Sequence, residues 1–458
     1  MQDAPGPGAS ADRDAEPAQS APEPAPSAGP PAASLPAGDE SRGALLVVFA
    51  TILIDFIGFS VLIPILPLFA ERLGATPVQV ALLLALYALA QLLFSPMWGW
   101  VSDRIGRRPV ILVSLFGSAL SFLALAFADS IAALYAARVV SGFFAATIGT
   151  AQAVVTDVTR PQERARGMAV IGAAFGAGMI VGPMLGGLLS EVSAKAPFYG
   201  IALLAAANGV LAFACLRESR PPGLARPGGF ELLHSLVPTP LRLMAAVHER
   251  RIALFLYLFF HLFTAFAVLE ALITLYVGLR FGATMLDVGI LFAWIGVVLV
   301  LTQAVALRRL ARRLDEAQLT ASGLAAMGIG LAALPALPGF RWFYAAGALI
   351  AFGNGIAIPA FTSLYSKACR AERAGELLGQ SQAMATTGRI IGPICGGLLM
   401  ESVSPGAPFL VAGAMMFAAL ALFQLTRGIL VVEEIAAANP ARVAPPGAPT
   451  STRGYSRP

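Results

Sequence analysis

Long apolar runs alternate with short polar breaks along most of this chain. Twelve of the runs approach or exceed the roughly 20 residues that a helix needs to cross a bilayer. Because helices satisfy their own backbone polar groups in lipid, the pattern predicts an all-α membrane protein with twelve transmembrane helices. The predicted spans are 45–68, 79–98, 110–128, 132–152, 167–190, 196–216, 253–277, 287–307, 318–336, 341–363, 376–399 and 408–430.

The longest polar break between the spans divides them six and six. It is rich in proline, glycine and arginine, which favours a linker between two six-helix bundles. The two ends of the chain are rich in Pro, Ala, Ser and Gly, a composition that does not bury enough apolar surface to fold. We therefore predict a disordered cytoplasmic tail at 1–42, bundles at 43–216 and 252–431, a cytoplasmic linker at 217–251, and a mostly disordered C-terminal tail at 432–458.

The composition narrows the classes of protein to which the chain can belong. The chain is 57% hydrophobic and 12% charged, with a mean hydropathy of +0.76, whereas soluble domains carry about 25% charged residues. A soluble enzyme is therefore excluded. The net charge of +5 is spread over short loops, so no nucleic-acid partner is predicted. Three scattered cysteines and the lack of a phosphate-binding Gly-x-x-x-x-Gly-Lys motif predict no metal, no cofactor and no enzymatic activity.

The basic residues give the orientation. Almost all of them fall in the tails and in loops that follow even-numbered spans, and cytoplasmic loops carry the excess of Lys and Arg. Both termini are therefore predicted to be cytoplasmic, in a multi-pass protein of the cell (inner) membrane.

A glycine-rich segment occurs twice, once in span 5 and once in span 11. The first copy contains Gly178, Gly182, Pro183, Gly186 and Gly187, and the second repeats it 210 residues later. Glycines four apart lie on one helix face and let another helix approach closely. A long repeat with unchanged membrane orientation indicates two bundles around an axis along the membrane normal, with a site between them.

The turn between spans 2 and 3 is basic. It carries Gly99, Asp103, Arg104, Gly106, Arg107 and Arg108. We expect Gly99 to allow close helix approach, Gly106 to permit a sharp turn, and Asp103 to pair with an arginine or a helix N-terminus. A cluster of this kind can act as a cytoplasmic gate; the alternative is a loop that only sets topology. The counterpart in the second half, from Arg308 to Asp315, keeps the charges without the glycines, and we interpret it as a degenerate copy.

Four charged residues lie well within spans, away from their ends, where each is costly and points to function. Asp55 and Glu270 lie in the first spans of the two halves and are candidate proton or substrate groups; the alternative is a carboxylate fixed in a helix-to-helix contact. Arg138 in span 4 is expected to hold or tune a carboxylate, because arginine keeps its proton. Arg389 in span 11 pairs with Glu270 in our preferred interpretation; the alternatives are that it neutralises another acid or meets an anionic substrate.

Further polar and aromatic residues are candidates for the wall of a central cavity. The alternative for each is a hydrogen bond between helices or lipid-facing packing. Together with Arg389, the predicted cavity residues are Phe59, Gln91, Gln303 and Asn354.

These motifs resemble those of the major facilitator superfamily, and in particular its tetracycline-resistance-like drug:proton antiporters. The resemblance covers about residues 45–430 and is strongest in the first half. It implies the major facilitator fold, proton coupling through Arg138, and an antiporter signature in the span-5 glycines. The tetracycline exporters carry an acid in the third helix where this chain has Ser121, so the substrate stays open.

The function implied is export of a small hydrophobic or amphipathic, drug-like compound in exchange for protons by alternating access. The expected partners are this small molecule, protons and the lipid bilayer, with the protein acting as a monomer. A proton-coupled uptake symporter, a uniporter or lipid exporter of the same fold, and a scaffold acting through its tails remain alternatives.

Overall fold

The computed structural model describes residues 38–159, 164–219, 250–368 and 374–438. Within these ranges all twelve predicted spans are helices long and apolar enough to cross a membrane, which confirms the predicted fold class. Predictions for 1–37, 220–249 and 439–458 lie outside the described residues, and the limits of the bundles and tails stay predictions. Helix α1 begins at Gly38 and the last helix ends at Ala438, inside the two segments assigned to the tails.

The first six spans are formed by seven helices, because span 4 is broken in two. The helices are α1 (Gly38–Arg72), α2 (Pro77–Ile105), α3 (Arg107–Phe127), α4 (Ile131–Phe143), α5 (Thr147–Val158), α6 (Arg164–Ser190) and α7 (Ala196–Cys215).

The second six spans contain one irregular helix, span 8, which passes through a π-helical segment at Thr302–Ala306. The helices are α8 (Arg250–Phe281), α9 (Met285–Leu301), α10 (Leu307–Leu310), α11 (Glu316–Ala333), α12 (Trp342–Ala368), α13 (Ala374–Ser402) and α14 (Ala407–Ala438).

The glycine repeat packs the same way in both halves. In α6, a Cβ added to Gly182 would lie 2.8 Å from the Ile57 carbonyl oxygen of α1. In α13, a Cβ on Gly392 would lie 2.6 Å from the Thr264 carbonyl oxygen of α8. Each glycine helix therefore meets the first helix of its own half at backbone distance; the sequence predicted close packing here without naming the partner helix.

The same two helices also join the halves. A Cβ on Gly187 of α6 would lie 2.9 Å from the Leu286 Cα of α9, and one on Gly397 of α13 would lie 3.0 Å from the Pro77 carbonyl oxygen of α2. The Val78 amide donates to the Glu401 carboxylate over 3.3 Å in the same region. We call this the closed end, and the end that carries the α2–α3 and α10–α11 turns the basic end.

Candidate functional site

A cavity of about 440 Å³, counting its open mouth, lies inside the first bundle and contains Asp55. Aromatic and aliphatic side chains form part of its wall, and three hydroxyl groups and an amide add polar atoms. The lining includes Phe59, Leu62, Tyr87, Gln91, Ser118, Phe122, Arg138, Ser141 and Thr147. The sequence predictions for Asp55, Phe59, Gln91 and Arg138 therefore meet in one place.

The break between α4 and α5 places Thr147 on the wall of the cavity that contains Asp55. The Thr147 hydroxyl lies 2.8 Å from the Ser114 hydroxyl of α3. Ser114 also accepts a hydrogen bond from the Ala146 amide over 3.3 Å. The Ser114 hydroxyl thus satisfies a backbone amide that the break leaves outside the helices. Irregular backbone at membrane depth is tolerated where it lines a cavity.

A second cavity, of about 320 Å³, lies between the halves and contains Glu270 and Arg389. Phe59, Tyr87 and Arg138 line both cavities. The two carboxyl groups, Asp55 and Glu270, therefore lie in adjacent compartments with a common wall. The Phe59 and Tyr87 rings in that wall are 5.6 Å apart between centroids.

Arg138 forms the buried part of the common wall. Its side chain is 2% exposed, its Nε donates to the Leu83 carbonyl oxygen over 3.2 Å, and its guanidinium lies 4.4 Å from the Tyr87 ring centroid. The expected hold on a carboxylate is not found, since within the described part of the chain Arg138 forms no ion pair. A backbone carbonyl and an aromatic face stabilise it instead, so it acts on the acids only through its charge.

Arg389 also departs from our preferred interpretation. It shares the cavity with Glu270, but in the part of the chain that the structure describes the two form no ion pair within 4.0 Å. Its guanidinium lies 5.8 Å from the Phe59 ring centroid, across the boundary between the halves. Arg389 and Glu270 are therefore both half-buried groups that face the same cavity space.

Gln303 and Asn354 do not line either cavity. Gln303 is exposed within the π-helical segment. Asn354 is buried in α12, between Gly353, which packs on α11, and Gly355, which packs on Thr302. Their predicted cavity roles have no support in this conformer.

The basic end of the first half is built around Arg107. Its guanidinium contacts the Asp103 carboxylate and, over 3.1 Å, the Asp157 carboxylate at the end of α5. Gly106, with a φ of +109°, is the single residue between α2 and α3. The sharp turn and the pairing of Asp103 are as predicted, but α2 continues through Asp103 to Ile105, so the basic stretch is mostly helix.

Glu218, just after α7, takes the role at the helix N-terminus that the sequence suggested for Asp103. Its carboxylate accepts hydrogen bonds from the Arg107 amide over 2.8 Å and the Arg108 amide over 3.1 Å. The Arg108 side chain donates to the Phe213 carbonyl oxygen over 2.6 Å. An acid at this position satisfies free backbone donors and complements the helix dipole.

Gly99 and Arg104 are the remaining predicted residues of the basic stretch. The expected close approach at Gly99 is not found, because a Cβ there would meet nothing within 4 Å. Arg104 is exposed and lies over the Trp100 ring, with 5.0 Å between guanidinium and centroid.

The equivalent turn of the second half lacks the glycines of the first, as the degenerate-copy interpretation states, and it has contacts of its own. Asp315 caps α11, accepting from the Gln318 amide over 2.6 Å, and is bound by Arg427 of α14 over 2.9 Å. Glu316 pairs with Lys367 at the end of α12 over 2.9 Å.

Sequence reasoning missed Thr147, Ser118, Ser141, Asp157 and Glu218. The serines had a signal, because Ser114, Ser118 and Ser121 recur at helical spacing along span 3. Glu218 and Asp157 had none, because both contacts depend on which loops meet in space. Among the described residues no cluster of three or more His, Cys, Asp or Glu side chains is arranged to hold a metal ion.

Comparison with known proteins agrees with this architecture. The family model described as Major Facilitator Superfamily matches residues 48–392. The class C tetracycline resistance protein of Escherichia coli is 32% identical over 78% of this chain and 89% of its own length. Multidrug resistance protein 2 of Bacillus subtilis is 26% identical over 84% of this chain and 95% of its own length.

Solved structures share the fold. The human organic anion transporter MFSD10 superimposes with a TM-score of 0.63 at 23% identity, over 84% of this chain and 99% of that one. The nucleoside transporter NupG gives a TM-score of 0.69 at 14% identity, over 83% and 99%. With twelve spanning helices and these relatives, the protein is a multi-pass inner-membrane transporter, not an enzyme. The chain belongs to the Major Facilitator Superfamily.

Proposed function

We propose that this transporter exports a small hydrophobic or amphipathic compound in exchange for protons, acting as a monomer. The observation that carries the proposal is the pair of carboxyl groups, Asp55 and Glu270, in adjacent cavities with a common wall. Ionisable side chains at membrane depth that face a cavity are typical of proton and substrate pathways. The printed names of the relatives, which include tetracycline resistance and multidrug resistance proteins, support a drug-like substrate.

Exchange requires that proton and substrate exclude one another. A protonated carboxyl has no charge and is a weaker acceptor, so it attracts a cationic or hydrogen-bond-donating group on the substrate less strongly, and proton binding at Asp55 or Glu270 favours substrate release. Loss of that proton restores the negative charge and the affinity for the next substrate molecule. Phe59 and Tyr87 supply the apolar contact area between the two acids.

The conformer shows at which end the halves meet. They contact one another at the closed end through Gly187, Gly397 and Glu401. In the orientation that the basic residues predict, the closed end faces outward and the basic end faces the cytoplasm. An exporter loads substrate in this state and an importer releases it, so the vesicle experiment below decides the direction of transport.

Proton entry supplies the energy. Moving one charge across a potential of 100 mV is worth about 2.3 kcal/mol, roughly a fifty-fold concentration ratio. One or two protons per cycle are therefore sufficient to drive a drug-like compound against a large gradient.

The test uses Asp55→Asn and Glu270→Gln proteins in liposomes with an imposed pH difference. A panel of toxic compounds, tetracycline included, first identifies a substrate from growth protection by the wild-type protein. We expect each variant to lose uphill transport of that substrate. Asp287→Asn, an acid-to-amide change at the N-terminal cap of α9 outside both cavities, serves as the matched control and should transport normally.

Three outcomes would contradict the proposal. Uphill transport by both variants would remove the carboxyl groups from the coupling. Net uptake of the substrate in oriented vesicles would establish a symporter. Flux that is unchanged when the proton gradient is collapsed would establish a uniporter.

A further inference from the structure

Four exposed arginines lie together where span 8 ends at the basic end. Span 8 ends at Leu310 and span 9 begins at Glu316. These side chains are exposed, and within the part of the chain that the structure describes they form no hydrogen bond or ion pair. We call Arg308, Arg309, Arg312 and Arg313 the arginine patch.

The nearby acids do not neutralise the patch. Asp315 is bound by Arg427 of α14, and Glu316 is bound by Lys367 of α12. At the equivalent turn of the first half, the Arg107 side chain and the Arg107 and Arg108 backbone amides are bound by acids of the protein itself. The second half therefore presents a cluster of positive charge for a partner outside the protein.

An exposed apolar stripe runs along the same span toward the patch. Its members, Ile290, Trp294, Leu301 and Val305, are 40–56% exposed. The stripe lies on the side of α9 away from Gly289 and Gly296, which pack on α6. Trp294 borders α12, where its Nε1 donates to the Tyr344 carbonyl oxygen over 3.0 Å. Because the other sides of α9 pack on α6 and on α12, the rest of the stripe faces the acyl chains of the bilayer.

We propose that the arginine patch and the apolar stripe together bind an anionic phospholipid of the leaflet at the basic end. The guanidinium groups contact the phosphate, for which arginine is well suited because its planar fork donates two parallel hydrogen bonds. One acyl chain lies along Leu301 and Val305. Juxtamembrane basic residues are attracted to anionic lipid surfaces, and the stripe adds apolar contact that a free phosphate ion lacks.

The competing explanation is that the arginines only set topology, which requires positive charge and no bound lipid. Two substitutions separate the ideas. Changing all four arginines to lysine keeps the charge and the topology. Changing Leu301 and Val305 to serine leaves every charge in place and removes only the apolar contact.

The experiment counts lipids retained by the full-length protein after extraction from bilayers of equal parts phosphatidylglycerol and phosphatidylcholine, by native mass spectrometry. We expect the wild-type protein to retain phosphatidylglycerol preferentially. Arg308→Gln with Arg312→Gln should lower that preference at least tenfold, since each basic residue near an anionic surface contributes about fivefold. The Arg72→Gln with Arg341→Gln protein removes two exposed arginines at the closed end and should behave as wild type.

The arginine-to-lysine protein should keep the part of the preference that comes from charge and lose the part that comes from the paired hydrogen bonds to the phosphate. The Leu301→Ser with Val305→Ser protein should lose several-fold. Equal retention of the two lipids by the wild-type protein would overturn the proposal. So would unchanged retention in the Arg308/Arg312 protein, or full displacement of the lipid by inorganic phosphate. The measurement does not involve transport, so its outcome is independent of the proposed function.

Discussion

The α2–α3 turn and the α10–α11 turn begin the third spanning helix of each half, and each is tied to the same two neighbouring helices. In the first half the ties run to the end of α5 through Asp157 and to the segment after α7 through Glu218. In the second half they run to the end of α12 through Lys367 and to α14 through Arg427. The charges are reversed: acids come to a basic helix start in one half, and bases come to an acidic start in the other.

The glycine segments of α6 and α13 contrast with these turns, because the same residues recur in both halves. Gly182 and Gly392 each lie where a Cβ would meet the backbone of a neighbouring helix, and no other residue fits there. A salt bridge works with either polarity, so the turns need only opposite charges at matching positions. Backbone contact therefore requires the same residue, glycine, in both halves. An ion pair requires only two opposite charges at matching positions.

The largest expected effect comes from Gly182→Leu and Gly392→Leu. Each side chain would have to displace backbone, so we expect a loss of about 3 kcal/mol or more in unfolding free energy, near the upper range of overpacking. Because the two sites are equivalent, the losses should agree within about 1 kcal/mol. Chemical unfolding in mixed micelles measures both.

Gly172→Leu is the matched control in α6, because a Cβ at Gly172 meets nothing within 4 Å. It should stay within about 1 kcal/mol of wild type, the scale of helix propensity. A stable Gly392→Leu protein beside an unstable Gly182→Leu protein would show that the two halves do not share this contact.

A smaller effect is expected at the turn itself. Gly106 has φ +109° and ψ +164°, a region open essentially only to glycine, and a Cβ there would overlap with the Glu218 carboxylate. Gly106→Ala should therefore cost about 1–3 kcal/mol for the backbone and in addition weaken the hydrogen bonds that Glu218 accepts. Thermal unfolding of the purified protein tests this.

Gly74→Ala is the reference for a positive-φ glycine in open space, because Gly74 has φ +83° and nothing within 4 Å of an added Cβ. It should be clearly less harmful than Gly106→Ala. Equal losses would contradict the expectation that the Gly106 conformation and the Glu218 contact together make the first-half turn the more sensitive site.

The sequence was sufficient to predict the twelve spans, since hydropathy and length report directly on the bilayer as solvent. It also singled out Asp55 and Arg138 as charged groups and Phe59 and Gln91 as cavity candidates, and the structure places all four around one cavity of the first half, a grouping that the sequence did not predict. These lie on the cavity-facing sides of spans 1, 2 and 4, and their polarity inside apolar runs marks them.

Contacts between distant loops could not be predicted in this way. Glu218 reaches the start of α3 across more than a hundred residues, and no local pattern signals it. The break at residues 144–146 contains neither proline nor glycine, so span 4 read as one continuous helix. Nor could polarity alone separate Gln91, which lines a cavity, from Asn354, which is buried between helices.

The smallest expected difference compares the two ion pairs themselves by double-mutant cycles. Arg107 and Asp157 are 15% and 20% exposed, whereas Lys367 and Glu316 are 49% and 28% exposed. Exposed pairs contribute about 0.2–1 kcal/mol and are screened by salt. We expect a coupling energy of about 1 kcal/mol or somewhat more for Arg107–Asp157 that persists at high salt, and about 0.5 kcal/mol or less for Lys367–Glu316 that disappears. Equal coupling energies in both halves would show that reversal of the charges left the strength of the tie unchanged, and that exposure does not distinguish the two turns.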